Sequence, residues 1–139
     1  MLGETSMGQP AAKQGDTVQA VDMHIVMVPS PGGPVPTPIP GHPFNGMISG
    51  GLSSNVRIMS MPAATVGSTA TNQPPHIPIG GPSFQIPPTN QGTIITGSAT
   101  VRINGQPAAR NGDTANTCND PAPLPVGTVI AVGTVMIGG

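Results

Sequence analysis

The chain has 139 residues, a net charge of −1 and 6% charged residues, which suits one domain and excludes a polybasic nucleic-acid binder, because phosphate neutralisation needs several cations. Aromatics make up 1% (Phe44 and Phe84, without Trp or Tyr), while Gly (20) and Pro (19) fill more than a quarter of the chain. A core built from large side chains is therefore excluded. The low charge and the alternating Val, Ile and Met runs argue for strands rather than disorder.

The first residues, Met1-Leu2-Gly3-Glu4-Thr5-Ser6, carry neither a basic nor an apolar stretch, so no secretory signal is expected. Residues 1–7 read as a loose extension of a single domain spanning 1–139. Next comes Gly8-Gln9-Pro10-Ala11-Ala12-Lys13-Gln14-Gly15-Asp16-Thr17, which returns as Gly105-Gln106-Pro107-Ala108-Ala109-Arg110-Asn111-Gly112-Asp113-Thr114. Pro62-Ala63-Ala64-Thr65-Val66-Gly67-Ser68-Thr69 is a third, weaker copy. A repeat found this way defines the architecture.

Two copies follow a short apolar segment: Asn55-Val56-Arg57-Ile58 precedes the Pro62 copy and Thr100-Val101-Arg102-Ile103 precedes the Pro107 copy. Asn104-Gly105 predicts a type I′ hairpin turn, which needs positive φ at both central residues. The Gly of each Gly-Asp-Thr or Gly-Ser-Thr marks a second tight turn. The first copy has no preceding strand, but Val135-Met136-Ile137-Gly138-Gly139 matches Val101-Arg102-Ile103-Asn104-Gly105. The expectation is an all-β, compact set of hairpins. Its C-terminal strand pairs beside the N-terminal segment and closes a ring of three pseudo-symmetric units. Closure would also remove open sheet edges.

Between the units lie residues 29–43 with seven prolines, 74–88 with six and 121–125 with three. Proline has no N–H and a fixed φ, so these are predicted as ordered surface loops rather than central strands. The apolar run from Val126 to Ile137 is too short and Gly-broken to span a bilayer.

His24 and His76 each lie 14 residues after the proline of their copy, and Cys118 lies 11 after Pro107. His42 sits in the longest insert. Three imidazoles and a thiolate would close a tetrahedral structural zinc site, with iron as the alternative ion. Spacing alone leaves open that these are ordinary histidines and a free buried thiol. The carboxylates are Glu4, Asp16, Asp22, Asp113 and Asp120. Asp16 and Asp113 read as turn residues; Asp22 and Asp120 read as groups that orient a histidine or are solvated. No nucleophile–base pattern marks a catalytic site.

Pro107-Ala108-Ala109-Arg110, with its degenerate copies and the preceding hairpin, resembles the PAAR family. Pro29-Ser30-Pro31-Gly32-Gly33-Pro34-Val35-Pro36 resembles the variant called PAAR-like. The likeness covers the chain from about residue 8 onward. It implies a short cone of β-hairpins with a zinc ion near the apex, held by three His and one Cys; here these are His24, His42, His76 and Cys118. It also implies a non-enzymatic cap on the trimeric, valine-glycine-repeat spike of a contractile injection system. One copy would serve each trimer. Such a cap assembles in the bacterial cytoplasm, leaves with the particle and makes no stable membrane insertion. Both a type VI system and an extracellular phage-tail-like particle fit. Effector cargo would attach non-covalently. Spike contacts are expected among residues 18–28, 55–61, 94–103 and 126–137. A linear repeat module for adhesion and a small metallohydrolase are the competing readings.

Overall fold

The structure is a computed structural model and describes residues 8–139; the expected N-terminal extension lies outside the described residues. Thirteen strands follow in chain order: β1 (Gln9–Pro10), β2 (Thr17–Val28), β3 (Val35–Gly50), β4 (Arg57–Ile58), β5 (Met61–Pro62), β6 (Thr69–Asn72) and β7 (Ser83–Phe84), then β8 (Gln91–Ile94), β9 (Arg102–Ile103), β10 (Gln106–Pro107), β11 (Thr114–Thr117), β12 (Leu124–Ile130) and β13 (Met136–Ile137). No helix occurs among the described residues, so the all-β reading holds.

The chain ends meet. β1 pairs antiparallel with β13, with Gln9 opposite Ile137 and Pro10 opposite Met136. The Ala11 N–H donates to the Val135 carbonyl as the Ala108 N–H donates to Val101 and the Ala63 N–H to Val56. The C-terminal segment thus supplies the strand that the first copy lacks. A linear solenoid would hold the ends apart.

The three repeat copies bind one another in a circle. The Ala12 N–H donates to the Ala109 carbonyl, Ala109 to Ala64 and Ala64 to Ala12. Only alanine-sized side chains permit that approach, and Ala12, Ala64 and Ala109 are fully buried. The turn that follows each copy also recurs. The backbone N–H groups of Lys13, Thr65 and Arg110 donate to the side chains of Asp16, Ser68 and Asp113. Gly15, Gly67 and Gly112 take φ near +90° (93, 96 and 90°), a conformation that glycine alone reaches without strain. Asn104 and Gly105 have φ of 52 and 82°, as the type I′ expectation requires.

Beyond this ring a closed sheet forms in the order β12-β11-β8-β6-β3-β2, shut by a β12–β2 pairing, with β7 added against β2. Its interior is narrow. Phe44 fills it, and glycines stand where other side chains would collide. A Cβ at Gly46 would lie 2.7 Å from the Phe44 ring, one at Gly92 3.3 Å from it, and one at Gly127 3.0 Å from Val18. On the other side of the ring, Ile58, Ile103 and Ile137 pack over Ala11, Ala63 and Ala108.

One expectation is corrected. The proline-rich insert 29–43 is not a loop throughout, because β3 begins at Val35 and pairs with β2 along its length. The reason lies in the period. Pro36, Pro38 and Pro40 alternate, so their missing N–H groups fall on the side away from β2. Ile25, opposite Pro38, points its own N–H to Asp120 and its carbonyl to the Gln85 N–H, so this pair asks the proline for no donor. Before Asn45, which bonds Asn72 and Gln73, the far side of β3 carries no partner strand and is an edge, where proline is tolerated. The 74–88 insert is irregular except for Ser83–Phe84.

Enlarging the ring tests its tightness. Ala109→Leu places extra methylenes in a fully packed contact, which costs about 1–3 kcal/mol. The expected result is a melting temperature lowered by roughly 5–10 °C in a thermal scan, while Ala122→Leu, in an exposed loop, stays near wild type.

Candidate metal centre

Strand pairing brings the histidines together. Asp22 and His24 lie two apart on β2 and are both buried, and His42 on β3 stands opposite Asp22. Between them β3 carries a bulge at Pro40–Gly41, where Gly41 has φ of 92°. The facing Met23 turns its backbone outward: its N–H donates to Asn119 Oδ1, and its carbonyl accepts from the Asp120 N–H. That contact fixes the 118–120 segment, and hence Cys118, against β2.

Ligand atoms of Asp22, His24, His76 and Cys118 all lie within 4.8 Å of one another. The His76 and Asp22 side chains are 1% and 0% exposed, so the group is dry. Cys118 Sγ sits 3.7 Å from His24 Nε2 and 3.7 Å from Asp22 Oδ2. His76 Nε2 is 2.9 Å from Asp22 Oδ2, and the Asn72 amide lies 3.3 Å from His76 Nδ1. Asp22 Oδ1 accepts from Thr117 Oγ1 and, at 3.3 Å, from Asn119 Nδ2. At the other face of His24, Nδ1 is 3.2 Å from Asp120 Oδ2. A carboxylate there holds the ring with its Nε2 turned toward the thiol, the arrangement by which such partners orient a ligating imidazole.

His42 is fully buried beside this group. Its ring centroid is 5.4 Å from that of His24 and 5.8 Å from that of His76. The Ile79 N–H approaches its Nε2 at 3.3 Å, and its Nδ1 is a buried nitrogen without a partner in hydrogen-bonding geometry. Burial lowers its pKa below the usual value, the neighbouring His24 and His76 lower it further, and the carbonyls of Ile39 and Asp22 act weakly the other way. His42 is therefore neutral and keeps a lone pair. Burial first, then Asp22, pushes the Cys118 thiol up to about 11, so it holds its proton at neutral pH unless a cation displaces it.

Of the four residues named from sequence, His24, His76 and Cys118 join the tight group, and His42 lines its wall. Asp22 completes the group in its place. Its signal was its spacing: two residues before His24 on a strand means a shared face. The donors fit a metal ion well. They are nitrogen, sulfur and oxygen atoms in a dry chamber, next to an unpartnered buried nitrogen. Both phenylalanines support the wall. Phe84 packs at 5.5 Å from His24 and from His42, and Phe44 at 6.1 Å from His76.

The family model for the PAAR motif matches residues 26–116 and again 85–139. The chain belongs to the PAAR-motif family, whose members sit at the tip of the valine-glycine-repeat spike in contractile injection systems. No curated protein matches it.

Loss of the orienting carboxylate should weaken the centre without dismantling it. In Asp120→Asn, metal affinity is expected to fall about 10–100-fold, read by competition with a chromogenic chelator. Cys118→Ala should bind no stoichiometric metal and melt at a lower temperature than the loaded parent. An unchanged affinity in Asp120→Asn would remove its assigned role.

Proposed function

We propose that the chain is a non-enzymatic cap on a trimeric spike, seated by its ring end and hardened at the other end by one zinc ion. The carrying observation is the threefold recurrence of one hydrogen-bond set within a single chain. Each copy donates from the residue two after its alanine pair (Gln14, Val66 and Asn111) to the next proline carbonyl (Pro62, Pro107 and Pro10). A surface that repeats three times around a closed circle offers equivalent contacts to three identical subunits.

The ring end is the matching end. It carries the hairpins β4–β5 and β9–β10 and, in the corresponding place, the pair β13–β1 formed by the chain ends. The histidine end has lost that equivalence, because its inserts differ in length and course. The expected spike contacts narrow accordingly to residues 55–61, 101–103 and 135–137, and extend through the β9–β10 turn to 107.

Zinc is the ion that a mixed imidazole–thiolate set favours. His24, His76 and Cys118 would hold it, with Asp22 and His42 both at hand for the remaining position. When bound, the ion supplies cross-linking of β2, the 74–88 insert and the 118–120 segment. These come from separate units and share little core. A closed ligand set needs no open position, which fits mechanical rather than catalytic work. In this reading the cap is assembled in the bacterial cytoplasm and leaves with its particle. Puncture is aided by a narrow, cross-linked end, and cargo would attach without covalent fusion.

Mixing the purified chain with its trimeric spike protein and measuring the mass by light scattering tests the docking. The expected complex holds one cap per trimer even with the cap in excess. Arg57→Glu with Arg102→Glu, both exposed on the ring-end hairpins, should weaken it. Three caps per trimer, or no complex, contradicts the proposal.

A further inference from the structure

The histidine end has an unusual surface. All but three of the nineteen prolines (Pro10, Pro62 and Pro107) lie in the three inserts that fold around it. The inserts converge on that end. The Gln85 N–H donates to the Ile25 carbonyl, the Ile79 N–H reaches His42, and Ile86 shares a surface depression with Pro121 and Pro123.

Charge is absent from what this end shows to solvent. Asp22, His24, His42, Asp120 and Cys118 are buried, and the His76 side chain is 1% exposed. Among the described residues the exposed charges are Arg57 and Arg102, both on the opposite, ring-end hairpins. Besides the uncharged polar groups Ser30, Gln73, Ser83, Gln85 and Thr89, the histidine end exposes large aliphatic side chains: Ile77 is 73% exposed, Ile86 54%, Val35 48%, Ile79 43% and Leu124 42%. Large exposed aliphatic groups mark contact surfaces.

We propose that this end is a lipid-contacting surface, whose insert loops seat reversibly in the interfacial region of an uncharged bilayer. The inference rests on the spike-tip reading for its setting and leading orientation, but its observations are independent of it. Three features favour lipid over a protein partner. A protein interface keeps a polar, partly charged rim, and among the described residues no exposed charge stands at this end. Strand addition needs donors along an open edge, and Pro36, Pro38 and Pro40 remove them from β3. Proline also lowers the cost of entering an apolar medium, because each one replaces a backbone N–H that would go unpaired there. The charge match is to a neutral surface, so salt should not weaken it.

The test uses the full, metal-loaded chain and vesicles of phosphatidylcholine. The protein is expected to float with the vesicles, equally well at low and high salt. Ile77→Trp, the sole Trp in such a variant, should show a blue-shifted emission on vesicle addition. Ile77→Asp combined with Ile86→Asp should reduce partitioning about tenfold or more, while Ser54→Glu, in the exposed turn before β4, leaves it unchanged. Retained spike binding by the Asp variant shows that it is folded. Three results overturn the proposal: no flotation of the parent, binding that requires anionic lipid and vanishes in salt, or full binding by the Asp variant. A parent that binds its spike but no vesicle overturns this inference alone. A parent that binds vesicles but no spike overturns the capping function instead.

Discussion

Everything in this molecule follows from how closely three stretches of backbone approach one another at the alanine ring. The circle of hydrogen bonds through Ala12, Ala109 and Ala64 leaves room for methyl groups and nothing larger. A chain that meets itself this way cannot build a broad core, and its composition shows the consequence: 1% aromatic residues and abundant glycine. Small side chains bury little apolar area each, so hydrophobic stabilisation per residue is limited. Backbone closure does much of the remaining work. The sheet has no break between β12 and β2, and the chain ends are paired. Closed edges also leave little to aggregate through.

The same narrowness explains the histidine end. Past Phe44 the interior becomes largely polar, with Asn72, Thr117, Asp22 and the histidines buried there, and Phe84 and Val26 are the apolar groups beside them. Buried polar groups are costly unless paired, and most here are paired with one another. The pairing is incomplete at His42 Nδ1. A cation held among these donors would cross-link this end where a packed core does so elsewhere.

Much of this was legible in the sequence, and for one reason. Repetition converts position into geometry. The match of Val135-Met136-Ile137 to Val101-Arg102-Ile103 predicted the pairing of the ends, and Asn104-Gly105 predicted its turn. The spacing of His24 and His76 from their prolines located the chamber. Two things were hidden. The strand through Val35–Gly50 was obscured because proline disfavours strands on average, and only the alternate spacing of Pro36, Pro38 and Pro40 shows that the ladder never needs them. Asp22 reads from sequence as a group that orients a histidine or is solvated; its spacing from His24 gives the shared face, but the cross-strand register that sets it opposite His42 is a tertiary property.

The orientation of the cap is the central claim, because docking, hardening and the uncharged leading surface all depend on it. A cryo-electron microscopy map of the protein on its trimeric spike measures it directly. The expected map has the hairpins β4–β5 and β9–β10 and the β13–β1 pair against the spike, with density for an ion among His24, His76 and Cys118 at the free end. A map with the histidine end buried against the spike and the alanine ring outward would contradict it.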